Sequence, residues 1–156
     1  MKDEGQTFNN NPLFNVGTHN TGADARVDVF VRNGGSTGHL YSIGNAFDDA
    51  WHHVLFSGGS DGLLDLYIDG AFDRQFNYSA FIPFPTDTTT IGGILRATDC
   101  CNFLGQIDDV SFWDQDLDAG QISALASGAS ALAVVPEPSS AILGLGGLLL
   151  ILRRRR

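Results

Sequence analysis

LLDLYIDGAFDRQFNY, residues 63–78, alternates apolar and polar side chains on either side of Asp69-Gly70. Successive side chains of an extended strand face opposite ways, so Leu64, Leu66 and Ile68 share one face. Asp-Gly tolerates the positive φ angles of a type I′ turn, the two-residue turn whose twist matches the strands it joins. The stretch therefore predicts a tight hairpin whose return strand sets Phe72, Arg74 and Phe76 against the first.

The same pattern extends outward in both directions. ARVDVFVR (25–32) places Val27, Val29 and Val31 on one face and ends at NGGSTG (33–38), and HLYSI (39–43) reads as a return strand. WHHVLFS (51–57) alternates again before the SGGSDG loop (57–62), and TTTIGGI (88–94) and FLGQIDDVSFW (103–113) supply two more expected strands. Strands at this spacing, separated by Gly, Asn and Asp, predict an all-β antiparallel sandwich or barrel. One soluble helix is expected, in LDAGQISALASG (117–128). There Asp118 caps, Gln121 reaches back to the cap, Leu117 and Ile122 have staple spacing, and Gly128 ends it. Residues 129–135 read as a weakly ordered linker.

Composition narrows the function classes. With 156 residues and 43% hydrophobic side chains, the chain holds enough for one domain and one core. Of eighteen acids and nine Lys and Arg, only Glu137 and Arg153 to Arg156 lie beyond Val135, which leaves the first 135 residues with a formal charge of −12. Nucleic acid is thereby disfavoured as a partner. Cys100 and Cys101 are adjacent, which suits neither a relaxed disulfide nor metal spacing. They read as two thiols in a loop, with a strained vicinal disulfide or an intermolecular bond as the alternatives. The opening MKDEGQTFNNNP has no apolar core and is not a secretory signal.

The order WHHV, LYIDG, TIGG and FLGQIDDVSFWDQDLDAGQISALASG resembles the second half of a concanavalin A-like jelly roll of the laminin G and pentraxin type. The resemblance covers residues 13–128. It implies further strands before Leu13, so residues 1–12 are expected to be a disordered or truncated start. The tail, VPEPSSAILGLGGLLLILRRRR (135–156), resembles a PEP-CTERM sorting signal: Pro136, Glu137 and Pro138, an apolar stretch, then Arg153, Arg154, Arg155 and Arg156. That resemblance implies a Gram-negative bacterium, export, transient membrane insertion through a short C-terminal hydrophobic helix, and cleavage by an exosortase. Physical reasoning agrees in part. Residues 141–152 would span about 18 Å as a helix, short of a hydrocarbon core of roughly 30 Å. Positive charge after the apolar run places the C-terminus inside and the domain outside. A permanent anchor and a buried helix are the competing readings of this segment.

Catalytic chemistry is not evident. Glycosidases use two carboxylates flanking the scissile bond, and the chain's glutamates are Glu4 and Glu137, at opposite ends. Asp48-Asp49 and Asp108-Asp109 are adjacent and, on strands, would face opposite ways. The same argument separates His52 from His53 as metal ligands. Trp51, His53 and Leu55 are expected to line one sheet face, with His53 hydrogen-bonded. Asp108 and Asp109 match the family's acidic position and are candidate calcium ligands, against a structural role in binding neighbouring backbone. The reading that follows is an exported, noncatalytic domain, lectin-like, binding an extracellular polysaccharide or another surface macromolecule. A structural or adhesive surface protein without a sugar site is the alternative, and a hydrolase requires carboxylates from a missing part.

Overall fold

Alternation becomes pairing along much of the chain. The computed structural model describes residues 2–4, 11–82, 88–93 and 102–135. Among these the strands are β1 (Lys2–Glu4), β2 (Leu13–Thr18), β3 (Arg26–Asn33), β4 (Gly35–Ser36), β5 (Leu40–Asn45), β6 (Val54–Gly58), β7 (Leu63–Ile68), β8 (Ala71–Asn77) and β9 (Thr88–Thr90). A short 3-10 turn covers Ser79–Phe81, and two helices follow, α1 (Ala119–Ala126) and α2 (Ala131–Val134). The larger sheet runs β4-β3-β2-β1-β9 with β5 also paired to β3, and the smaller runs β6-β7-β8. Every pairing is antiparallel.

The two sheets meet through the faces that the alternation defines. Val16, Val27, Val29 and Val31 of the larger sheet pack with Leu64, Leu66 and Phe76 of the smaller in one buried cluster. Val27 and Leu66 have no exposed surface at all. The turn between β7 and β8 has positive φ at both centres, 52° at Asp69 and 79° at Gly70, as a type I′ turn requires. The register shifts once, so that Leu66 opposes Arg74 while Tyr67 opposes Phe72. That bulge at Asp73 turns Phe72 away from the face of Phe76: Phe72 is 58% exposed and Phe76 is buried. The Asp73 carboxylate accepts from the backbone N–H groups of Ile43 (2.8 Å) and Gly44 (2.7 Å), tying the β8 edge to β5.

Several expectations change. Residues 103–113 form no strand: Leu104, Ile107, Val110 and Phe112 are exposed, and alternation does not make a strand where no ladder with another described strand forms along it. β6 begins at Val54, so His52 and His53 precede it and Trp51 is exposed. The sheet also begins before Leu13, because β1 lies between β2 and β9. Asp48 and Asp49 lie in a bend, not on a strand.

The helix forms as its sequence dictates. Asp118 Oδ1 accepts from Gln121 N–H and Gln121 Oε1 from Asp118 N–H, a complete capping box. At the other end, Gly128 (φ 90°) donates to Leu125 and Ala129 to Ala124, the paired bonds of a Schellman stop. Residues 129–135, expected as a loose linker, instead carry α2: Val134 packs on the cluster of Leu55, Ile122 and Leu125, and Gln121 Nε2 donates to its carbonyl. No helix among the described residues is long and apolar enough to cross a membrane. The expected hydrophobic helix, the Pro136-Glu137-Pro138 triplet and the four arginines lie outside the described residues, as do Cys100 and Cys101.

Leu66→Ala should lower stability by about 2–5 kcal/mol in urea denaturation, since it opens a cavity between the sheets. Gly62→Ala should also destabilise the domain markedly. A Cβ there would stand 2.2 Å from Ser79 Cα, on a backbone with φ of 77°.

Candidate functional site

The outward face of β7 is as regular as its inward one. Leu63, Asp65 and Tyr67 alternate with the buried Leu64 and Leu66, and across the sheet Asp65 lies between Ser57 of β6 and Gln75 of β8. Gln75 Nε2 donates to Asp65 Oδ1 at 2.8 Å. The segment that leads into α1 crosses this face, and Ser57 Oγ donates to Asp116 Oδ1 at 2.6 Å. Between them lies a cleft of about 260 Å³, lined also by Asp61, Leu117 and the 57–62 loop. The Tyr67 ring forms part of its wall and is held edge-on by Phe72, with centroids 5.7 Å apart. The cleft is a concavity near the lower size limit of small-molecule sites, with polar groups and Tyr67 in its lining.

A second cluster surrounds His52. Its Nδ1 lies 2.7 Å from Asp69 Oδ2 and its Nε2 2.9 Å from Asp48 Oδ1, so carboxylates face both ring nitrogens. The hydrogen bond to Asp69, and then that to Asp48, raise its pKa above 6.5 and favour the imidazolium. Burial pushes the Asp69 carboxyl up, but the bonds from His52 and the His53 backbone N–H outweigh it and hold it low. Because Asp69 is also a centre of the hairpin turn, this cluster fastens residues 48–53 to the hairpin. His53 departs from expectation: its Nδ1 is buried without a hydrogen bond, and desolvation lowers its pKa.

On the outer face of the larger sheet Asp28 is 2% exposed, and its Oδ2 lies 2.6 Å from His39 Nδ1. Its Oδ1 is buried without a partner, and desolvation raises its pKa. Phe30 packs on His39 (4.9 Å), His19 stacks on Tyr41 (4.1 Å) and the Arg26 guanidinium lies over the same ring (5.0 Å). These groups pack on one another.

Asp108 and Asp109, the candidate calcium ligands, are exposed, and Asp108 Oδ1 accepts from the Asp109 N–H. Among the described residues no three His, Cys, Asp or Glu side chains stand close enough to hold one metal ion. The cleft residues were not singled out by sequence. Their only signal is that Asp65 and Tyr67 occupy the outward positions of the clearest hairpin.

Two antiparallel sheets packed face to face define a β-sandwich of the concanavalin A-like type. The family model described as the concanavalin A-like lectin/glucanases superfamily, Laminin_G_3, matches residues 3–123, and the chain belongs to that family. The match starts at residue 3, so the domain occupies the N-terminal part of the chain and takes in β1. No curated protein and no solved structure matches it.

His52→Gln isolates the charged cluster. A histidine whose pKa is raised on folding contributes stability that is fully present below its unfolded value and lost as pH rises through its folded value. The wild-type advantage over His52→Gln in urea denaturation should therefore be greatest between about pH 5 and 6, shrink as pH rises beyond the ordinary histidine value of about 6.5, and shrink again in acid as Asp69, which His52 holds low, takes up its proton. The buried His53 acts in the opposite sense in both proteins and cancels. A pH-independent difference would mean that the His52 ring is not charged in the fold.

Proposed function

We propose that the chain is an exported, noncatalytic surface or matrix protein whose laminin G-like domain binds a glycan at the cleft on the β6-β7-β8 sheet. The observation that carries this reading is the placement of the Tyr67 ring beside Asp65, Gln75, Ser57 and Asp116 in a concavity of about 260 Å³. A sugar ring offers an apolar face to an aromatic ring and hydroxyls to carboxylate and amide groups around it. The volume falls slightly below the ~300 Å³ at which drug-sized sites begin, which suits one sugar unit of a longer chain. Membership in a family that includes lectins supports the ligand class. The noncatalytic part of the reading is supported by the glutamates: the chain has only Glu4 and Glu137, and so lacks the closely spaced glutamates that related β-glucan-cleaving enzymes use.

Export and sorting rest on Pro136, Glu137, Pro138, the apolar stretch and Arg153 to Arg156. Exosortase is the proposed partner there, and the membrane a transient one. Expressed with an export signal beside a matching exosortase, the mature protein should end near Pro138 in mass spectrometry. An intact C-terminus in the surface-located protein would overturn the sorting reading.

The cleft is tested by retention on a panel of immobilised polysaccharides. Tyr67→Ala and Gln75→Ala should each weaken retention by roughly tenfold or more, the loss of one well-placed contact, with unchanged circular dichroism. No retention on any polysaccharide would refute the reading. Calcium is included in the same assay: if Asp108 or Asp109 is a ligand on which binding depends, chelation lowers retention. Release of reducing sugar from the same panel would overturn the noncatalytic assignment. The exposed Leu104, Ile107, Val110 and Phe112 favour the adhesive alternative, for which partner capture should persist in the presence of competing sugars.

A further inference from the structure

Resting on the cleft reading, we infer that the sugar unit taken by the cleft carries a free amine: the ligand is a cationic amino-sugar polymer, not a neutral or acidic one. Charge decides this. Asp61, Asp65 and Asp116 all line the cleft, and no Lys, Arg or His does. Their hydrogen-bond partners do not neutralise them: Asp65 accepts from the Gln75 amide, Asp116 from the Ser57 hydroxyl and Asp61 from the Leu63 backbone N–H. Each of these donors is uncharged, and each bond engages the Oδ1 oxygen. Arg74, adjacent in sequence to Gln75, is directed elsewhere, with its guanidinium on the Tyr41 carbonyl and near the Phe76 ring.

Three carboxylates around one cleft repel a uronic acid, and they gain nothing extra from a neutral sugar whose hydroxyls already bond to water. An ammonium brings three donors and a compensating charge, and charge-assisted bonds are about twice as strong as neutral ones. A bare divalent ion is a poorer occupant, because no three carboxylates among the described residues converge to a single metal's coordination distance. The ring and the neutral Gln75 and Ser57 groups suit a sugar body, while the carboxylates suit its amine.

The test is calorimetric titration of the full chain with three tetrasaccharides: a glucosamine oligomer, its N-acetylated counterpart and a uronic acid oligomer. The glucosamine oligomer should bind at least tenfold more tightly than the N-acetylated one, with an affinity that falls as salt rises, and the uronic acid oligomer should not bind. Asp65→Asn and Asp116→Asn should each erase most of that preference, weakening the glucosamine oligomer far more than the N-acetylated one. Asp49→Asn, an exposed acid away from the cleft, should change nothing, because the negative chain would otherwise attract any polycation. Equal or tighter binding of the N-acetylated or uronic acid oligomer, or equal losses in Asp49→Asn and Asp116→Asn, would overturn the inference while leaving glycan binding intact. Failure of all three oligomers to bind would overturn the inference as well. If the polysaccharide panel also showed no retention, the cleft reading would fall with it.

Discussion

The structure depends on one burial event, the closure of the valine row of β3 over the leucine row of β7. Val27, Val29 and Val31 meet Leu64 and Leu66 with almost no residual exposure. Each such side chain stabilises the fold by roughly 1.5–3 kcal/mol relative to solvent, so this row supplies much of the force that holds the sheets together. It also fixes orientation. With Leu64 and Leu66 committed inward, Asp65 and Tyr67 have only the outer face available, and a slip of one residue would reverse both sets. The cleft is therefore a consequence of the core.

The sheets are also joined at their edges by polar contacts. Asp73, the extra residue of the β8 bulge, takes two backbone N–H groups of β5, and Arg74 donates to the Tyr41 carbonyl of the same strand. Exposed strand edges invite pairing with other chains, and a carboxylate that satisfies two edge donors removes part of that liability. The bulge has a second effect. It turns Phe72 to the outer face, where it braces Tyr67 in the cleft wall. A single inserted residue thus serves the seam between the sheets and the placement of the ring.

The Asp69-Gly70 turn connects the remaining parts. Asp69 holds the His52 ring and the His53 backbone, while Gly70 lies so close to α1 that a Cβ would stand 3.0 Å from Ala126 Cβ. The helix in turn carries Ile122 and Leu125 onto Leu55, and the segment that precedes it brings Asp116 over Ser57. The cleft is assembled by this chain of local constraints, each of which uses short-range chemistry.

Local physics in the sequence was enough for the hairpin, the faces of Val27 to Val31 and Leu64 to Leu66, and the cap and stop of α1. Alternation, Asp-Gly chemistry and capping all act over a few residues. It was not enough for residues 103–113, whose alternation describes a strand that finds no edge to pair with among the described residues, nor for Phe72, whose face was set by a bulge that pattern does not record. The partners of His52 are residues 48 and 69, and the cleft draws on residues from 57 to 117; contacts across such distances depend on which strands become neighbours. The sequence by itself determined an acidic antiparallel sandwich and the side chains that would line its core. Only the tertiary structure decided which outward residues meet, because a side chain's face follows from its own strand while its neighbours follow from the packing of the whole.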